Sequence, residues 1–150
     1  MIAYLSAHYV GVLCASGTRG AWALVVPYRN DGLAVECLVP RWADAAFYLE
    51  QDPRALLLIP DSLDAPTDGL RWLEYAGTAR LTDSQWQMAN SRWQMADSRN
   101  PKSAICNPEG TFGLKSEMYL TVCLAPTRLD LIDESQGWGA RETLELTADH

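Results

Sequence analysis

Histidine and lysine are scarce in this chain. Histidine occurs at His8 and His150 and lysine at Lys102 and Lys115, so most of the 12 basic residues are arginines. A Ser-His-Asp or Cys-His arrangement would have to recruit one of those two histidines, so hydrolytic chemistry is poorly supported. No glycine-rich phosphate loop of the G-x-G-x-x-G or P-loop type occurs. The four cysteines, Cys14, Cys37, Cys106 and Cys123, form no C-x-x-C pair and have no histidine at metal-ligand spacing. No metal site is therefore expected. Positive charge is in deficit, with 19 acidic residues, a net charge of −7 and a pI near 4.7. A nucleic-acid binder needs a cationic face, so that class is excluded. No run of 18 apolar residues exists, so no membrane helix is expected. The opening MIAYLSAHYVGVLCA lacks a basic region and a cleavage site, and reads as a first core strand rather than a signal peptide. Three cysteines sit in apolar strand-like runs, and free thiols in a reducing cytoplasm are the favoured reading.

What is present suits one domain over residues 1–150: 48% hydrophobic and 21% charged residues, an ordinary globular mixture. Ala21–Tyr28 (AWALVVPY) and Leu33–Val39 (LAVECLV) read as two strands around an Asn30-Asp31-Gly32 turn. Trp42–Gln51 has helical spacing and ends at Asp52-Pro53, because a residue before proline leaves the α region. Arg54–Ile59 reads as a buried strand. His8–Ala15 precedes them as strand one, and Leu70–Leu81 follows as a long strand in which Gly77 marks a bulge or a close backbone approach. Residues 83–99 are expected to be helical. They contain two copies seven residues apart, SQWQMA and SRWQMA, which would put Trp86 and Trp93 on one helix face and Met88 and Met95 on another. Met118–Ala125 is the next strand, broken by Pro126 before Arg128–Ile132. Gln136–Glu145 carries a glycine-flanked Trp138 and a short amphipathic run that docks a terminus or closes a site.

The order GxxxxxVPYRNDG, strand, helix, DPRALLLI, followed by WLEYAGTARL, resembles the pyridoxamine 5′-phosphate-oxidase-like family of FMN-binding split barrels. YLTVCLAPTRLDLID at Tyr119–Asp133 resembles that family's last barrel strand with its Pro-x-Arg step, so the likeness runs from about Tyr9 to Asp133. It implies a mainly β fold: a six-stranded antiparallel split β-barrel with a short helix at 42–51 and a longer one at 83–99 outside. A small barrel with an open seam gains buried surface by pairing, so a homodimer with interfacial sites is expected.

The same resemblance implies FMN as cofactor. In the family the phosphate is held by a Ser/Arg/Lys cluster with lysine eight residues before the proline of the Asn/Asp-Pro step. Here that position is Ala45, flanked by Ala43 and Asp44, and no lysine precedes Lys102. Arg41 is the local cation. Two readings stay open: Arg41 takes the phosphate and Trp42 covers the ring edge, or Arg41 caps a strand and Trp42 packs under the helix. Val25, Val26 and Pro27 would approach the ring through backbone groups, Val39 stands where a hydroxyl residue is usual, and Trp138 and Arg141 would come from the partner chain. Catalytic residues are not assigned. Three functions follow: a flavin oxidoreductase of unknown substrate, a dimeric small-molecule binder that has lost the phosphate site, or an interaction module using the Trp/Met helix.

Overall fold

The computed structural model describes residues 1–61, 69–82, 86–89, 92–95 and 118–147. The elements in chain order are α1 (Ile2–Ala7), β1 (Val10–Gly17), β2 (Gly20–Asp31), β3 (Ala34–Pro40), α2 (Ala45–Gln51), β4 (Arg54–Pro60) and β5 (Arg71–Thr82). They continue with β6 (Trp86–Ala89), β7 (Arg92–Met95), β8 (Tyr119–Asp133), a 3₁₀ turn (Glu134–Gln136) and β9 (Arg141–Glu145). The main sheet runs β3-β2-β1-β4-β5-β8-β9, and β3 also pairs with β8. That last pairing closes six antiparallel strands into a split barrel, with β9 outside on β8.

Alternation along each strand builds the core. In β1 the inward residues include Leu13 and Ala15; in β4 they are Ala55, Leu57 and Ile59. Period-two patterning of this kind sets the register, because a slip by one residue would turn the apolar set outward. Buried hydroxyls find partners: Tyr28 donates to Leu5 O at 2.9 Å, and Tyr4 to Ile59 O at 3.0 Å. Tyr75 donates to Leu33 O at 2.7 Å, with Leu124 O at 3.0 Å. Without such partners each would carry a desolvation cost of about 1–3 kcal/mol.

Four sequence expectations change. Residues 2–7 form helix α1, with Tyr4 and Leu5 buried, rather than the start of a core strand. The short helix begins at Ala45 and not at Trp42; Arg41 to Asp44 form the turn before it. Pro126 does not break its strand. The bulge lies between Ala76 and Gly77, and the register passes from Gly77↔Pro126 to Ala76↔Arg128, leaving Thr127 as the extra residue. Proline lacks an N–H, and a bulge removes the need for one. Gly77 serves both expected purposes, since a Cβ there would lie 2.6 Å from Ala125 O.

The fourth change is the largest. No helix forms over Trp86–Ala89 and Arg92–Met95, which are β6 and β7 and pair antiparallel as a separate ladder. Residues 83–85, 90–91 and 96–99 lie outside the described set. The copies W-Q-M-A and R-W-Q-M alternate with period two as well as repeating at seven, and Asn90-Ser91 between them are turn formers. Among the described residues the α-helices are α1 and α2. No helix among the described residues is long and apolar enough to cross a membrane.

Candidate functional site

The barrel opens where two ladders part. β2 and β3 pair from Asp31↔Ala34 to Tyr28↔Cys37 and then stop. β3 continues on β8 as far as Pro40↔Tyr119, while β2 continues on β1 from Pro27↔Val10. Continuing the lost register would set Val26 opposite Val39 and Val25 opposite Pro40. This parting is the seam, and it gathers five of the sequence-nominated residues: Val25, Val26, Pro27, Val39 and, one turn on, Arg41.

Alternation divides them. Val26 and Val39 face the core and are fully buried. Val25, 65% exposed, and Pro27 lie on the outer wall. Arg41 and Trp42 occupy the turn between β3 and α2, where the Arg41 N–H donates to Met118 O at 2.8 Å. Both residues are exposed, and Trp42 at 77% does not pack under the helix. Ala45 belongs to the core cluster and is 0% exposed, so the side chain eight residues before Pro53 points inward. Asp44 takes the N-cap position of α2 without a side-chain cap bond.

Trp138 and Arg141 sit elsewhere. Trp138 is 98% exposed, and Arg141 pairs with Ile132. Val39 pairs with Leu120. Leu120 and Ile132 are separated by roughly 40 Å along the path of β8 at about 3.3 Å per residue. Arg41 and Arg141 thus stand at opposite ends of β8.

Other charged groups lie outside the nominated set. Arg29 and Glu36 form an ion pair beside a cleft of about 420 Å³ lined with Asn30, Asp31 and Ala34. Asp130 is held by Arg128 at 2.7 Å and by the Thr143 hydroxyl; the Arg128 hydrogen bond pulls its carboxyl below the usual range. His8 Nδ1 donates to Tyr4 O at 2.8 Å, Nε2 lies 3.2 Å from Asp61 Oδ1, and the ring stacks on Tyr4 at 4.2 Å. Arg71 lies over the other part of that stack, 5.3 Å from the Tyr4 ring. Sequence reading missed this group because its members are separated by up to 67 residues, from Tyr4 to Arg71, and only the fold brings them together. Among the described residues no set of three or more His, Cys, Asp or Glu side chains is placed to hold a metal ion. Cys37 is buried and its thiol is pushed up by burial, whereas Cys14 and Cys123 are half-buried on the outer wall.

The fold is shared with known structures. General Stress Protein 26 from Bacillus anthracis str. Sterne matches at TM-score 0.61 and 15% identity, over 97% of this chain and 95% of that one. A putative pyridoxamine 5′-phosphate oxidase from Listeria innocua matches at 0.57 and 21% identity, over 86% and 92%. A heme binding protein from Mycobacterium smegmatis matches at 0.61 and 20% identity, over 95% of this chain and 56% of that longer one. No family model and no curated protein matches the sequence. The likeness to pyridoxamine 5′-phosphate-oxidase-like proteins thus holds at the level of the split-barrel fold.

FMN requires a slot for a flat ring and donors for a dianionic phosphate. Val25, Pro27 and Trp42 offer apolar surface on the outer wall and the turn after β3. Arg41 offers an exposed cation, and position 45 offers none, since Ala45 is in the core.

Proposed function

We propose, from a fold shared with pyridoxamine 5′-phosphate-oxidase-like split barrels, that this chain is a dimeric FMN-binding oxidoreductase with its cofactor at the seam. The observation that carries the reading is the exposed Arg41–Trp42 pair seated where β2 and β3 part. Arg41 takes the phosphate through charge-assisted hydrogen bonds, and Trp42 and Val25 border the ring. Bound flavin supplies the redox chemistry, while the protein binds and orients it. A second cation comes from the partner's Arg141, because within one chain Arg141 pairs at the opposite end of β8 from Arg41. The described cysteines are free, which suits a reducing cytoplasm.

Titration calorimetry with FMN and riboflavin tests this. Arg41→Ala is expected to weaken FMN binding roughly 10- to 150-fold and to spare riboflavin, which lacks the phosphate. Equal affinity of wild type and variant for FMN would refute the assignment, as would no binding by the wild type at high micromolar FMN.

A second reading has its own support. Ala45 in the core removes the family's lysine, and the barrel then holds a flat ligand without a phosphate anchor. The Mycobacterium smegmatis neighbour, called a heme binding protein, makes heme the comparator to titrate. A Soret shift with heme, in a protein that ignores FMN, would favour this reading.

A further inference from the structure

Helix α1 is too short to hold itself. Six residues make a marginal helix in water, and α1 has no side-chain hydrogen bond at its N-cap. Its contacts with the barrel hold it instead. Tyr4 and Leu5 are buried. The Tyr4 hydroxyl donates to Ile59 O in β4, and Leu5 O accepts from the Tyr28 hydroxyl. Tyr28 is the last residue of β2 paired with β3 before the two strands part, so α1 rests on the start of the seam. The remaining tie is His8, the C-cap residue of α1.

His8 meets an acceptor at each ring nitrogen. Nδ1 lies 2.8 Å from Tyr4 O, one of the terminal carbonyls of α1, and Nε2 lies 3.2 Å from Asp61 Oδ1. A neutral imidazole carries one N–H and one lone pair. The Nδ1–H tautomer turns its lone pair on the Asp61 carboxylate, and the Nε2–H tautomer turns it on the Tyr4 carbonyl. Only the imidazolium donates to both. Asp61 is fixed by its own backbone, whose N–H donates to Arg71 O at 2.8 Å. The surrounding charges favour the same form. The His8 ring stacks on Tyr4 of α1, and Arg71 of β5 lies 5.3 Å from that Tyr4 ring and 3.4 Å from Asp133 of β8. Asp61 and Asp133 face one cation, Arg71, so a proton on His8 balances the group. The Tyr4 hydroxyl stays neutral, pushed up to about 12 chiefly by burial.

We propose that His8 is a proton-operated clasp: its imidazolium ties the end of α1 to Asp61 after β4, and loss of the proton loosens α1 from the barrel. The clasp does not depend on which ligand the seam takes. It is a proton-binding contact, so its stabilisation is full in mild acid and is lost as pH rises through the histidine range around pH 6.5. It also fades where Asp61 itself takes up a proton, near about pH 4. The two side chains are 21% and 40% exposed, so the proton loosens one helix and does not unfold the barrel. A loosened α1 withdraws Leu5 O from the Tyr28 hydroxyl, and the effect thereby reaches the residue at which the seam begins.

The test uses the full chain and follows amide hydrogen exchange at Leu5, whose N–H donates to Met1 O within α1. Rates are expressed as protection relative to the unfolded chain at the same pH. Wild type is expected to protect Leu5 about two- to fivefold more at about pH 5.5 than at about pH 8. His8→Gln removes this dependence. Asp61→Asn also removes it and keeps Leu5 protected at about pH 8, because its carboxamide N–H donates to the Nε2 lone pair of a neutral ring. A residue that merely fills space would not produce that difference between the two variants. Equal protection of wild type at both pH values overturns the clasp, as does a pH dependence that survives in His8→Gln. A second measurement needs no variant: the ring nitrogens of His8, followed by NMR in the folded protein and in urea. The folded ring is expected to keep its proton to higher pH than the unfolded one, and identical titration in the two states overturns the proposal.

Discussion

β8 has two halves with different surroundings. Tyr119–Leu124 lies between β3 and β5 and closes the barrel. Arg128–Ile132 lies between β5 and β9, beyond the closure. The first half depends on apolar inward residues, Val122 and Leu124, and on the row through Thr121 that leads to the seam. The second carries Asp130 directly opposite Glu74, two like charges on one face. Opposed like charges destabilise a ladder. Arg128 and Thr143 offset this by bonding Asp130, and the Trp72 indole N–H donates to Glu74 at 3.1 Å. One strand thus closes the fold by burial at one end and holds an outer strand by charge at the other. The bulge at Gly77 and Pro126 is where the change occurs.

The comparison can be broken most severely at the closing half. Leu124→Ala removes a fully buried side chain where β8 meets β3, and is expected to cost about 2–5 kcal/mol in urea unfolding. A cost below about 1 kcal/mol would mean that the barrel does not depend on this closure. Gly77→Ala acts at the junction. Its Cβ would press on the Ala125 carbonyl, so overpacking of about 1–3 kcal/mol is expected from the same measurement.

The outer half should respond to pH instead. Asp130→Asn is expected to cost on the order of 1 kcal/mol at neutral pH. The pKa of Asp130 is depressed on folding, first by the Arg128 hydrogen bond. Its contribution is full above the ordinary carboxylate range near pH 3.9 and is lost as pH falls through the lower folded value. The difference in stability between wild type and variant should therefore vanish in acid; a constant difference across that range would refute the charged clasp. The smallest effect is expected at Trp138. Trp138→Ala should leave stability within about 0.5 kcal/mol, because the indole is almost wholly in solvent. A larger loss that depends on protein concentration would instead reveal a second copy resting on it.

Much of the barrel was legible because its signals are local. Period-two runs marked β1 to β5, Asn30-Asp31-Gly32 marked a hairpin, and Asp52-Pro53 ended α2 where expected. Gly77 was readable as a bulge, since glycine inside a strand pattern has few other reasons to be there. The hairpin at Trp86–Met95 was misread because a seven-residue repeat of W-Q-M-A fits nearly two helical turns and also alternates with period two. At the site, Arg41 and Trp42 were legible as a cation beside an aromatic. The inward turn of Val26, Val39 and Ala45 was not, because facing depends on register.

By itself the sequence determined β1 to β5, the antiparallel hairpin, the end of α2 and the scarcity of cations, because each follows from periodicity, turn chemistry or composition within a few residues. The tertiary structure alone decided which strands close the barrel, that β2 and β3 part beyond Tyr28 and Cys37, and that Arg41 and Arg141 stand at opposite ends of β8. It also decided that Ala45 is core and Trp42 is surface. The physical reason is that these are properties of pairing between distant segments. A strand's own residues specify an apolar face, but which neighbour that face meets, and where the ladder stops, depends on every other strand in the barrel.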